Sequence, residues 1–197
     1  TSIDNKESFE KIFKQFLLII AFAFISNVNS QELIPLKVNN EWKYLKKETK
    51  NGNTIVLDTI ESRIEKTVTY NNKKWYFMIE LGDKYIVRNN QKGQYELDTL
   101  ETHKNGDFKE VLMFKKSNKR TSYKAYGNIR VSKEKGTTRI KTKIGEFDCI
   151  KYLIIPQEAK QNEVIEFYFS PGIGLIYHKW IEGEITTSYE LIEHNIK

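Results

Sequence analysis

Past residue 30 the chain changes between apolar and polar with a period of two, and that period is the signal of a β-strand with one packed and one wet face. In "TTRIKTKI", Arg139, Lys141 and Lys143 alternate with Thr138, Ile140, Thr142 and Ile144. In "WYFMIEL", Trp75, Phe77, Ile79 and Leu81 fall on one face, with Tyr76, Met78 and Glu80 opposite. The run from Phe147 to Ile155 is apolar on both parities over much of its length, which predicts a central strand covered on both sides. No long run after residue 30 has helical spacing, and no internal repeat or low-complexity linker divides it.

Turn signals cut this pattern at short intervals. Asn51-Gly52 and Asn105-Gly106 are strong hairpin signals, because both residue types tolerate positive φ. Asn71-Asn72, Gly82-Asp83 and the stretch Asn89 to Gly93 mark further turns. Later strands are expected to start near Tyr123, Thr137, Phe147, Val164, Ile173 and Ile185. About eleven strands in a single all-β domain follow from this spacing.

Within "EFYFSPGIGLIYHKW" (166–180), a proline and two glycines interrupt an apolar, aromatic run. A phosphate-cradling loop would need more glycines at fixed spacing and a following helix. A nucleophile elbow would need Gly-x-Ser-x-Gly, whereas Ser170 lies between Phe169 and Pro171. A type II turn fits, with Pro171 presetting φ and Gly172 taking positive φ. Gly174 then lies in the next strand, where a missing side chain signals a bulge or a close neighbour.

The first thirty residues read as a targeting segment. Lys11 and Lys14 precede the apolar run Phe16 to Ile25, and polar Ser26 to Ser30 follow; this is the order of a secretory signal peptide. Ten apolar residues are too few for a bilayer span, which needs about 20. Val28 and Ser30 suit cleavage after Ser30, so the expected organisation is a signal peptide over 1–30 and one β-rich domain over 31–197. An amphipathic helix using Phe9, Ile12, Phe13, Phe16 and Leu17 is the competing reading. With no cysteine near Ser30, the expected product is periplasmic or extracellular and is not a lipoprotein.

Removing those thirty residues from 197 leaves 167, enough for one core that buries roughly 70% of the unfolded surface. Cys149 is the single cysteine and has no partner for an internal disulfide; its apolar neighbours suggest a small buried residue. The net charge of +6 and pI near 9.1 raise an acidic partner as a question. Yet 27 of the 32 basic residues are lysine and five are arginine, whereas phosphate recognition favours the arginine fork. A solvated surface, and no nucleic-acid partner, is the expectation; the dense cluster Lys115 to Arg120 reads as a charged turn.

Three stretches together resemble a family. "IPLKVNNEWKY", "KIGEFDCIKY" and "YFSPGIGLIYHK" resemble, in this order, the landmarks of a group of uncharacterised β-rich secreted proteins of Gram-negative bacteria. Asn39 stands where the first landmark usually has glycine. The resemblance implies a large antiparallel meander curled into a half-barrel or open sandwich, and it transfers no activity and no catalytic residues.

Candidate chemistry is sparse. His103, His178 and His194 show no zinc-ligand spacing, and no cofactor, metal site or catalytic set is assigned. His178 is the histidine to follow, since it shares strand parity with Ile176 and Trp180. Glu146, Asp148, Glu166 and Glu190 are the acids that could pair for glycoside cleavage, but that test is spatial. Aromatics make up 13% of the chain and serve sheet cores or apolar and sugar-binding clefts alike. The leading expectation is a non-catalytic module with a cleft for a lipid or other apolar ligand, lined by Trp75, Phe77, Phe167, Phe169, His178 and Trp180. The alternative is an envelope surface module contacting protein or polysaccharide, and a hydrolase comes third.

Overall fold

A computed structural model describes residues 32–102, 108–117, 119–125, 129–134, 136–156 and 163–197. The expected signal peptide, His103 and the Asn105-Gly106 turn lie outside the described residues. Those described form thirteen strands and no helix: β1 (Glu41–Lys50), β2 (Asn53–Tyr70), β3 (Lys73–Glu80), β4 (Asp83–Asn90), β5 (Gly93–Thr102), β6 (Phe108–Lys115), β7 (Thr121–Ala125), β8 (Ile129–Lys133), β9 (Thr138–Thr142), β10 (Gly145–Pro156), β11 (Val164–Ser170), β12 (Gly174–Glu182) and β13 (Ile185–Asn195). The sequence had suggested one strand near Tyr123; there are two, since the five residues of "IRVSK" are too few and too polar to show a clear period.

The hairpins form where the local chemistry asks for them. Asn51 and Gly52 both take positive φ, as do Asn71 and Asn72, matching the twist of the strands they join. The third tight turn is Leu81-Gly82, one residue earlier than expected, with Leu81 itself at φ 52°. Its N–H donates to Ser62 Oγ at 2.9 Å, which holds the unusual conformation in place.

All strand pairs are antiparallel, in the order β6-β5-β4-β3-β2-β1-β13-β12-β11-β10-β8-β7, with β9 pairing the first part of β10. Among the described residues the first and last strands, β1 and β13, therefore lie side by side, and the two sheet edges, β6 and β7, are consecutive in sequence. The sheet curls beyond a half-barrel into a nearly closed barrel, because these edges meet. Their seam is bridged by side chains. Tyr123 Oη on β7 accepts the Lys115 N–H and donates to the Met113 carbonyl, each at 2.8 Å, and Tyr152 Oη donates to the Lys115 carbonyl at 2.9 Å. Closure removes most of the unpaired backbone that a sheet edge would expose.

The interior is filled. Phe114 of β6 packs on Tyr152, Phe167 and Phe169 across the barrel at ring separations of 5.1, 5.4 and 4.8 Å. Trp42, Tyr44, Met78, Val131, Leu175 and Leu191 continue the same core.

One end of the barrel is plugged. Residues 32–40 bury Leu33, Ile34 and Leu36 in the core, and their backbone is tied to the wall: Asn89 Nδ2 donates to the Ile34 carbonyl at 2.8 Å and Gly172 N to the Glu32 carbonyl at 2.8 Å. Asn40, fully buried, donates to the Pro35 carbonyl and accepts the Lys197 N–H. Asn39 has φ 67°, so asparagine supplies the left-handed conformation for which glycine is the usual residue.

The Pro-Gly interruption completes the plug. Ile173 N donates to the Ser170 carbonyl at 3.0 Å and Gly172 has φ 82°, the geometry of a type II turn. Gly174, at φ 112°, lies against Trp42: a Cβ there would sit 3.2 Å from the indole nitrogen. The Trp42 indole N–H donates to the Ile173 carbonyl at 2.7 Å, and Tyr44 Oη to the Leu175 carbonyl at 3.0 Å. Thus a side chain near the start of the domain staples a turn 131 residues later.

Candidate functional site

Strand pairing dictates what lies at the opposite end. β2 is 18 residues long, yet β3 pairs only with its second part, from Arg63 onward. Its first part pairs with β1 alone, and among the described residues no strand takes its other edge. Asn53 to Thr59 are all exposed, including three consecutive apolar side chains: Ile55 at 54%, Val56 at 61% and Leu57 at 45%. Leu57 is the extra residue of a bulge, since Val56 faces Lys47 and Asp58 faces Lys46.

The neighbouring strands extend this surface. Trp180 faces Thr187, Thr187 faces Glu48, and Glu48 faces Ile55, so Trp180 and Ile55 share one face across four strands. Ile185, opposite Lys50 and Glu182, lies on that face two rows further out. Trp180 is 40% exposed and Ile185 37%. This is the side of the sheet that carries Tyr152, Phe167 and His178 deeper in the barrel, so the arm presents the continuation of the core face to water.

The six residues expected to line a cleft are divided three ways. Phe167, Phe169 and His178 are in the filled interior, with His178 packed edge-on to Phe167 and Tyr189 at 4.5 and 5.3 Å. Burial drives its imidazole down to about 4, and its Nδ1 is shut in without a partner. Trp75 and Phe77 alternate with Tyr76 and Met78 and lie on the outer face, outside the main core. There Arg88 stacks between Trp75 and Tyr95, 5.0 and 4.6 Å from the ring centres, while Glu110 takes both Arg88 and Lys73. Burial raises the Glu110 carboxyl, but the hydrogen bonds from Lys73 and Arg88 outweigh it and hold the group below its ordinary value. Trp180 alone stands at the exposed arm. The turn residues Pro171, Gly172 and Gly174 are at the plugged end.

The acids considered for glycoside cleavage are each engaged by a nearby base: Glu146 by Lys141, Asp148 by Arg139, Glu166 by Lys151, and Glu190 by Lys47. A different acidic pair occupies the interior. The Glu80 carboxyl is held up at about 8, first by burial and then by the charge of Glu96, and its Oε1 has no hydrogen-bond partner. Cys149 is fully buried, and burial, aided by Asp148, lifts its thiol to about 12, so it is unreactive as a thiolate. Among the described residues no group of three or more His, Cys, Asp or Glu is placed to hold a metal ion.

A groove of about 100 Å³ crosses β2, β1 and β13 near the plugged end. Lys43, Glu61 and Glu193 form one wall, and Glu41, Arg63 and Asn195 the other. It has room for a few waters, each taking about 30 Å³, and Lys43 already pairs with Glu61 and Glu193 at 3.8 and 3.5 Å.

Sequence reasoning missed Ile55-Val56-Leu57 altogether. An apolar triplet after a hairpin turn reads as a strand on its way into a core, and only the length of β3 leaves it uncovered.

No family model matches the chain, and no curated protein matches it. Among solved structures it is similar to a candidate lipoprotein from Parabacteroides distasonis, with 14% identity and a TM-score of 0.43 over 84% of this chain and 99% of that one. It is also similar to a candidate exported protein with a YmcC-like fold from Bacteroides fragilis, with 10% identity and a TM-score of 0.42 over 85% of this chain and all of that one.

Proposed function

We propose that the chain is an exported, non-catalytic β-barrel module that binds an envelope partner, protein or polysaccharide, through the arm formed by the start of β2 with β1, β13 and β12. The observation that carries this is the contrast within one face: apolar side chains are buried along the barrel but stand in water at Ile55, Trp180 and Ile185. Exposed apolar side chains gathered at one end of a face, here interleaved with Glu48 and Thr187, support an interaction site of mixed apolar and polar character. The Lys11–Ser30 pattern supports export. An apolar ligand inside the barrel has less support, because Phe167 and Phe169 are engaged with Phe114 in ring packing.

Hydrogen exchange, read peptide by peptide, tests the reading on the protein in its native envelope and again after purification to high dilution. Slower exchange at 53–59 and 180–187 in the envelope is the expected result. Equal exchange in the two states overturns it. Native mass spectrometry of the envelope-purified protein is expected to show no bound lipid; a reproducible extra mass in the lipid range would replace the surface reading with that of a carrier.

A further inference from the structure

Resting on the reading just proposed, we infer that the open edge of β2, Asn53 to Thr59, takes an extended strand, and that its occupant is the same edge of a second copy of this chain. A free strand edge offers backbone N–H and C=O groups at every second residue, and another extended strand is the partner that satisfies both in register.

Edges that must stay free are guarded by lysine, proline, inward charges or very short length. β9 follows that rule: its five residues carry exposed Arg139 and Lys141. The β6 and β7 edges are turned towards each other and bridged by Tyr123. The β2 edge is guarded more weakly, by one inward-facing acid, Asp58, opposite Lys46, and by the bulge at Leu57. Its seven residues include no lysine, arginine or proline, and its centre is Ile-Val-Leu; the Leu57 bulge and Asp58 are the only modifiers.

Charge and shape select a second copy. An antiparallel pair of these segments centred on Val56 sets Ile55 opposite the other copy's Leu57 and Thr54 opposite its Asp58, so apolar meets apolar and the single charge of each copy faces a hydroxyl. No like charges oppose each other, although each whole chain carries +6. The pairing maps onto itself under a twofold rotation about Val56, which is the requirement for a closed dimer.

Sedimentation of the full chain across a concentration series to about 100 µM tests the inference, with Val56→Lys and Val56→Asp as variants. Val56 is exposed and outside the core, so both variants fold. The expected result is a dimer that either substitution weakens at least tenfold, and that returns when the Lys and Asp variants are mixed, because opposite charges then meet at the twofold axis. A chain that stays monomeric overturns the inference, as does a dimer indifferent to Val56. The two proposals fail separately. A monomer whose 53–59 amides are still protected in the envelope keeps the binding module but gives the edge to another molecule, and a dimer whose 180–187 amides exchange equally in the envelope and after dilution keeps the pairing without an envelope partner.

Discussion

At one end of the barrel Leu33, Ile34 and Leu36 are nearly sealed from water; at the other, Ile55, Val56 and Leu57 are about half exposed. Both triplets are apolar and both follow or precede a tight turn. The first is tied to the wall through Glu32, Ile34 and Asn40, whereas the second has a strand on one side only. Hydrophobicity therefore decides what could be buried here, and the length of the neighbouring strand decides what is. Trp42, Ile150, Phe169 and Gly174 gather around the plugged end.

The contrast can be broken most forcefully from the filled side. Phe169→Ala, or Tyr152→Ala, empties space between packed rings and is expected to cost about 3–5 kcal/mol, read as a lower denaturation midpoint with unchanged slope. At the plug, Gly174→Ala adds a Cβ against the Trp42 indole at a φ that side chains resist; a loss of about 2 kcal/mol is expected, with a change in Trp42 emission.

The buried titratable groups give pH signatures of opposite sign. Glu80 sits at about 8 when folded against an ordinary 4.5, so between those values the folded state keeps a proton that the unfolded chain has released. Its contribution is therefore full below about pH 4.5 and falls as pH rises to 8. Glu80→Gln should flatten that decline and gain stability at pH 8 over the parent. His178 sits at about 4 against 6.5; its unfolded form binds the extra proton in that window, so stability rises from pH 4 to 6.5. His178→Phe should remove that rise, and unchanged pH profiles for both variants would refute the burial argument. The smallest effect is expected at the arm, where Ile55→Lys should leave the denaturation midpoint within about 0.5 kcal/mol while changing association.

Much of the fold was legible because it is locally encoded. Asn51-Gly52, Asn71-Asn72 and the Ser170–Ile173 turn adopt the conformations their residues favour, and alternation identified the strands between them. Where local cues conflicted or ran short, reading failed: Leu81 takes positive φ against its own preference, and β8 was too short to show a period. The candidate site was less legible. Trp180 was singled out for a cleft, but Trp75 and Phe77, which alternate with Met78, lie on the outer face, Trp75 against Arg88 of the Arg88–Glu110 clasp and Phe77 under Lys66; period two says that neighbours point apart and not which side is inside.

The sequence by itself determined an all-β chain, the positions of its main turns and the glycines those turns require, because positive φ and period-two burial are properties of a few adjacent residues. The tertiary structure alone decided that the sheet closes through Tyr123 and Tyr152, that Phe167 and Phe169 face Phe114, and that Ile55 to Leu57 remain uncovered. Each of these depends on which strands pair and where the pairing stops, a matter of register between residues far apart in the chain.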